Sequence, residues 1–77
     1  MTKAEFLKKL GASIAQQRQK ANLTQTEVAY RCEIEPNNLT RIEKGKSNVT
    51  AGTLLKISEA MNVPVAAFFN FQKRKEL

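Results

Sequence analysis

The sequence lacks histidine, aspartate and tryptophan, and it has a single cysteine, Cys32. A structural zinc site needs about four Cys or His ligands, so this chain does not supply one. One cysteine also excludes an internal disulfide and a disulfide framework. Acid–base catalysis would fall to glutamates, Tyr30 and lysines in a chain of 77 residues, too short to enclose a deep cleft. We therefore expect no enzyme, no metal and no other cofactor.

Long apolar runs are also missing. The longest stretch without a strongly polar residue is Val63 to Phe69, whereas a membrane span needs about 18 residues. The first residues form an amphipathic pattern containing lysines, which is not a secretion signal. A chain this short builds one core. We therefore expect a single domain, residues 1–77, that acts in the cytoplasm and has no membrane partner.

The balance of charge gives the first positive indication of function. Thirteen Lys and Arg residues against seven acidic residues leave a net charge of +6. Such an excess by itself suits nucleic acid or an anionic membrane surface, and of these two partners we expect nucleic acid. The excess lies in residues 1–20 and 36–56, whereas three of the seven acidic residues fall between positions 27 and 35. The basic surface is therefore expected to be localised.

Every periodic stretch predicts a helix. The first covers about residues 4–21, with an apolar face of Leu7, Leu10, Ile14 and Ala21, and Asn22 closes it. Thr24 and Glu27 have capping-box spacing and begin a second helix, about 25–32. Its inward residues are expected to be Val28, Ala29 and Cys32.

Two prolines mark further helix starts, because proline is favoured at the first helical position. Pro36 begins a third helix, about 36–44, with Leu39 and Ile42 inward and Gly45 at its end. Thr50 caps a fourth helix, about 51–61, closed by Asn62. Its inward residues are Leu54, Ile57, Ser58 and Met61. Pro64 starts a short fifth helix, about 64–69, with Val65 and Phe68 inward.

This arrangement resembles the helix-turn-helix domain of phage repressors and Cro proteins, the XRE family. The resemblance runs from Gly11 to Phe69 and is carried by Arg18, Leu23-Thr24-Gln25, Glu27-Val28-Ala29, Leu39-Thr40-Arg41-Ile42-Glu43-Lys44-Gly45 and Leu54-Leu55-Lys56-Ile57. It implies an all-α, five-helix, lambda-repressor-like fold in which helices 2 and 3 form the helix-turn-helix. The domain would occupy about residues 10–69, followed by a short basic tail, about 70–77.

The third helix carries side chains suited to reading bases. Asn pairs with adenine and Arg with guanine through two hydrogen bonds each, and the major groove admits one helix. Asn37, Asn38 and Arg41 lie opposite the apolar pair, and Thr40 falls within the same turn. We predict that these four residues contact DNA. The alternative is that two asparagines after a proline only favour a turn.

The resemblance adds contacts to the DNA backbone. It implies that Gln25, at the start of helix 2, touches phosphate and often side chains of helix 3. Thr26 beside it, and Lys44, Lys46 and Asn48 after helix 3, are expected to touch phosphate. The alternative for Gln25 is an ordinary first-turn residue, and for each lysine a solvated side chain. The tail residues Lys73-Arg74-Lys75 could add phosphate contacts, but a loose solvated tail is preferred.

Three further roles follow from the same resemblance. Arg18 is expected to form a structural ion pair with Glu43. One or two of the three phenylalanines Phe68, Phe69 and Phe71 are expected to complete the core under helix 5. The exposed remainder, from Phe69 and Phe71, is expected to form a dimer surface, because members of this family commonly pair through the end of the domain that carries helix 5. Cys32 occupies a position that is usually apolar, so a buried, inert thiol is preferred over a redox sensor.

The implied function is a sequence-specific transcriptional regulator that binds double-stranded DNA as a homodimer, on a pseudo-palindromic operator and without a small-molecule effector. Controllers of restriction–modification systems and regulators of mobile elements are similar.

The turn departs from the family pattern, because Glu33-Ile34-Glu35 replaces Gly-x-Ser and Pro36 follows. Either Glu33 adopts a left-handed conformation or the turn is reshaped. Glu33, Glu35 and Pro36 favour an alternative function, a protein-interaction module or an antitoxin with weak or lost DNA readout. A further alternative is non-specific binding to anions, driven only by the net charge.

Overall fold

The computed structural model describes residues 1–72, which are helical with short connections. Four α-helices follow one another: α1 Lys3–Lys20, α2 Gln25–Cys32, α3 Pro36–Glu43 and α4 Ala51–Met61. A 3-10 helix, Val65–Gln72, comes last. The predicted all-α fold of five helices is confirmed over this range. The expected basic stretch Lys73-Arg74-Lys75 lies outside the described residues.

Helix α1 begins and ends one residue earlier than predicted. Thr2 caps it in a capping box: the Glu5 backbone N–H donates to Thr2 Oγ1 at 3.1 Å, and the Thr2 N–H donates to Glu5 Oε1 at 2.8 Å. At the other end, the prediction that Ala21 faces inward is wrong. Ala21 is the C-cap and is exposed, because the chain turns away there into Asn22, which has a φ of 58°.

The next three helices keep nearly all of their predicted bounds. The capping box of Thr24 and Glu27 is present, with N···O distances of 2.8 and 3.0 Å. Helix α3 ends at Glu43 rather than position 44, because Lys44 is already its C-cap. Gly45 follows with a φ of 75°, a conformation that glycine adopts without strain.

The fifth helix differs from the prediction in type and length. It is a 3-10 helix that extends to Gln72, and its backbone leaves helical geometry at Phe69, where φ is −112° and ψ is 24°. Phe68 is buried as predicted, but Val65 is only half-buried. One face of a regular helix cannot hold three phenylalanines in four positions. The kink allows Phe69 and Phe71 to pack against Phe6 while Phe68 enters the core.

All helices contribute to one core, which sits between α1, α2, α3 and the later elements. Its buried residues are Leu10, Ile14, Val28, Ala29, Cys32, Leu39, Ile42, Leu54, Ile57, Met61 and Phe68. The Leu, Ile, Val, Met and Phe side chains among them stabilise the fold by about 1.5–3 kcal/mol each. The inward faces predicted for α2, α3 and α4 are confirmed, including the polar Ser58, whose hydroxyl donates to the Leu55 carbonyl at 2.8 Å.

Helix α1 lies unusually close to the end of α3. Gly11 is buried, and a Cβ atom at this position would clash with the carbonyl oxygens of Ile42 and Glu43. Only glycine permits this approach of two backbones. The position of α3 is therefore set by direct contact with α1 as well as by its apolar side chains.

Candidate nucleic-acid interface

A three-residue turn joins α2 and α3. Glu33 is left-handed, with φ 59° and ψ 41°, and the Ile34 N–H donates to the Ala29 carbonyl at 3.0 Å. Of the two possibilities for this turn, the structure has the left-handed one. That conformation costs a residue with a Cβ roughly 1–2 kcal/mol. Glu35 is the N-cap of α3 and makes no side-chain capping hydrogen bond, and Pro36 is the first helical residue.

Helix α3 has one buried edge and one exposed edge. Leu39 and Ile42 are buried, whereas Asn37, Asn38 and Arg41 are all exposed. Asn37 and Asn38 are both surface neighbours of Arg41, because they precede it by four and three residues in the helix. The exposed edge therefore offers two amides and a guanidinium, the planar groups that pair with base edges in the major groove.

Four polar side chains from three helices form a connected network behind this edge. Arg18 of α1 donates through Nε to Glu43 Oε2 at 2.8 Å and through Nη2 to Glu43 Oε1 at 3.1 Å. Gln25 of α2 donates through Nε2 to the same Oε1 at 2.7 Å. The Thr40 hydroxyl donates to Gln25 Oε1 at 2.8 Å. The network links the start of α2 to both α1 and α3.

The ion pair in this network is largely removed from water. The side chains of Arg18 and Glu43 are 13% and 5% exposed. Arg18 Nη1 also donates to the Leu23 carbonyl at 2.9 Å. Arg18–Glu43 is the one ion pair that the structure contains within residues 1–72. In the same range, every buried side-chain nitrogen or oxygen has a hydrogen-bond partner.

The segment that follows α3 carries further exposed polar and cationic side chains. Lys44, Lys46 and Asn48 are exposed, as is Thr26 at the start of α2. Arg41 Nη2 donates to the Lys46 carbonyl at 3.2 Å, which ties this segment to the exposed edge of α3. The residues predicted to contact DNA thus lie on two helix segments and the segment after α3, with Gln25 and Thr40 half-buried.

Lys8 is a neighbour of this loop that the sequence does not indicate. Its backbone packs directly against Gly45, so closely that a Cβ at position 45 would clash with the Lys8 Cα, and its side chain is exposed. The adjacent Lys9 instead borders a groove with Asn70 and Phe71. No local pattern distinguishes these two lysines; only the packing of α1 on the end of α3 does.

The cysteine of the sequence lies in the core and not at the surface. Cys32 is buried, and burial raises the pKa of its thiol, which keeps it protonated at neutral pH. Residues 1–72 contain no cluster of acidic and cysteine side chains that could hold a metal ion. None of their helices is long and apolar enough to cross a membrane.

The residues predicted to form a dimer surface belong to an aromatic cluster. The ring centroid of Phe6 lies 6.3 Å from that of Phe69 and 5.6 Å from that of Phe71. Both later phenylalanines are half-buried by these contacts within the chain. Phe71 also lines an open groove of about 540 Å³ against α1.

Comparison with known proteins agrees with this arrangement. The profile of the helix-turn-helix family HTH_3 matches residues 14–68. A search of curated proteins returns no significant match.

Solved structures with the same fold include three regulators. The restriction-modification controller protein C.AhdI from Aeromonas hydrophila has a TM-score of 0.82 at 23% identity, over 84% of this chain and 98% of that one. The clp gene regulator ClgR from C. glutamicum has a TM-score of 0.78 at 26% identity, over 80% of each chain. An HTH_3 family transcriptional regulator from Vibrio cholerae has a TM-score of 0.82 at 26% identity, over 88% of this chain but 38% of that one.

Proposed function

The chain belongs to the helix-turn-helix family of DNA-binding regulators, and from that premise we propose that it binds a pseudo-palindromic operator as a homodimer and controls transcription in the cytoplasm. Helix α3 enters the major groove, and the protein performs no catalysis. The observation that carries this proposal is the exposed edge of Asn37, Asn38 and Arg41, opposite the buried Leu39 and Ile42.

The contacts divide by chemistry into two groups. Asn37, Asn38 and Arg41 read base edges, because only planar groups with paired donors and acceptors discriminate between bases. The remaining contacts position the protein on the phosphates without reading sequence; they come from Gln25, Thr26, Lys44, Lys46, Asn48 and, by its contact with Gly45, Lys8.

The aromatic cluster of Phe6, Phe69 and Phe71 supports the proposed dimer. Phe71 borders the groove against α1 and keeps part of its surface exposed. A second copy packed there would complete the burial of this cluster. Two-fold symmetry would then set two α3 helices about 34 Å apart, one turn of DNA. Phe71→Ala should raise the dimer dissociation constant in sedimentation equilibrium. Tyr30→Ala, which removes an aromatic residue 85% exposed on α2, is the matched control and should leave it unchanged.

Selection from a random duplex pool at about 150 mM salt tests the function directly. The expected result is enrichment of an inverted repeat with half-sites about one helical turn apart. Enrichment of a single half-site would support DNA readout but contradict the dimer. No enrichment, with binding that disappears as salt rises, would contradict sequence-specific regulation.

The second candidate is a protein-interaction module or an antitoxin that keeps the fold without strong DNA readout. It is favoured by the exposed carboxylates of Glu33 and Glu35 beside the start of α3, where approaching phosphates would be repelled. Pro36 also has no N–H to offer a phosphate. The selection experiment separates the candidates, since only the regulator enriches a sequence.

A further inference from the structure

We infer that Thr40 is a positioning residue, which holds the amide of Gln25 in one orientation for DNA and reads no base itself. The inference deepens the proposed function and rests on it. It starts from one arrangement: both polar atoms of the Gln25 amide have partners within the chain, Glu43 on one side and Thr40 on the other. This assigns Thr40 a different task from Asn37, Asn38 and Arg41.

The chemistry of the partners fixes which way the amide points. Glu43 is a carboxylate paired with Arg18, so it can only accept hydrogen bonds. The NH2 group of Gln25 must therefore face Glu43, where the N···O distance is 2.7 Å. The carbonyl oxygen must then face Thr40, whose hydroxyl donates to it at 2.8 Å. In a flipped amide, the Gln25 carbonyl oxygen would face a Glu43 carboxylate oxygen, and neither of these two acceptors could donate a hydrogen bond.

The hydroxyl of Thr40 has no proton left for DNA in this arrangement. A hydroxyl carries one proton, and the acceptors beside it are Gln25 Oε1 at 2.8 Å and the Pro36 carbonyl at 3.1 Å, both within the helix pair. The residue is also half-buried, unlike Asn37, Asn38 and Arg41. Thr40 thus acts through Gln25 and not on a base.

Gln25 is consequently presented as a donor. Its amide has two N–H bonds, of which one is directed to Glu43 and the other is available to an outside acceptor. Its oxygen is occupied by Thr40. Phosphate oxygens only accept, so this orientation suits them. A glutamine fixed before binding also loses less rotamer freedom when DNA arrives.

A double-mutant cycle on DNA affinity tests the assignment. Thr40→Val removes the hydroxyl and keeps the shape, Thr40→Ser keeps the hydroxyl, and Gln25→Ala removes the amide. The selected duplex and its single-base variants serve as probes. We expect Thr40→Val to weaken binding about 3- to 10-fold, the effect of one hydrogen bond, and equally for every duplex. Thr40→Ser should remain close to wild type, and Thr40→Val should have no further effect in the Gln25→Ala background.

A measurement without DNA keeps the inference separate from the proposed function. The NMR order parameter of the Gln25 side-chain Nε2 should fall in Thr40→Val and stay at the wild-type value in Thr40→Ser. Thr53→Val, which alters a half-buried threonine on α4, is the control for losing a hydroxyl and should change neither readout.

Distinct results would overturn each idea. A changed base preference in Thr40→Val, an undiminished loss in the Gln25→Ala background, or an unchanged Gln25 order parameter would each contradict the positioning role. A wild-type protein that binds no DNA would contradict the proposed function, and the order parameter would still decide whether Thr40 holds Gln25.

Discussion

Arg18 and Glu43 face each other across α1 and α3 in a fork-to-fork ion pair, with N···O distances of 2.8 and 3.1 Å. Planar pairs of this kind add geometric specificity to their electrostatic attraction. Gln25 also donates to Glu43 Oε1. The ion pair therefore stabilises the fold and also helps to hold α2 and α3 in their relative positions.

Glu43→Ala should therefore reduce stability and DNA binding together. Removing one partner of a buried pair leaves the other charge uncompensated, which costs about 3–5 kcal/mol. Urea unfolding and operator titration measure the two effects. Glu59→Ala, an exposed carboxylate on α4, is the control. A Glu43→Ala protein with wild-type unfolding and affinity would contradict the structural role of the pair.

The exposed edge of α3 and the loop after it should respond differently to truncation. Asn37→Ala and Arg41→Ala should each cost about 1–3 kcal/mol of discrimination at one base pair. Lys46→Ala should weaken all duplexes equally. Affinities for a set of single-base operator variants make the comparison, and identical patterns for the two classes of variant would refute the division.

Two adjacent lysines of α1 allow a test of the contact predicted for Lys8. Lys8→Ala should lower the slope of log affinity against log salt by about 1, because one phosphate contact releases about one counterion. Lys9→Ala changes the net charge equally but lies toward the groove with Phe71, so its slope should stay at the wild-type value. Equal slopes for both variants would remove Lys8 from the interface.

The left-handed Glu33 offers a stabilising substitution. Glu33→Gly should raise the free energy of unfolding by about 0.5–1 kcal/mol, since glycine adopts a φ of 59° without the Cβ penalty. Glu33→Ala retains the Cβ and should show no such gain. Both variants remove a negative charge, so thermal unfolding of the pair isolates the backbone effect. Equal stabilities would contradict it.

The capping box of α2 makes stability depend on pH in the acid range. Hydrogen bonds with the Thr24 backbone N–H, and then with its side chain, hold the pKa of Glu27 below its ordinary value of 4.5. The stabilisation is therefore fully present above pH 4.5 and is lost as pH falls through the folded-state pKa. Glu27→Gln should flatten the fall of the melting temperature below about pH 4.5. Because Glu5 is perturbed in the same direction in α1, part of the fall should remain.

Local chemistry made most helix boundaries predictable. Thr24, Pro36 and Gly45 each act on the backbone within a few residues, and the helices begin and end beside them. The 3-10 geometry after Val65 was not predictable in this way. It depends on where three phenylalanines find space against Phe6, which is far away in sequence.

In the candidate site, too, local features were predictable from the sequence and contacts between distant segments were not. The exposed side chains of α3 follow from helical periodicity once Leu39 and Ile42 are taken as buried. The resemblance implies contacts of Gln25 with side chains of helix 3, but only the structure identifies Thr40 as the partner and places Lys8 of α1 against Gly45, just after α3. Such contacts depend on how closely α1, α2 and α3 approach one another, and a single sequence does not encode that in any local pattern.

The two edges of α3 also have a consequence for evolution. Leu39, Ile42 and Glu43 are bound into the core and the ion pair, so changes there carry a penalty in stability. Asn37, Asn38 and Arg41 are exposed, and exposed substitutions usually change stability by about 0.5 kcal/mol or less. Under the proposed function, descendants of this protein can thus acquire new operators by drift along one side of a single helix while the scaffold stays unchanged.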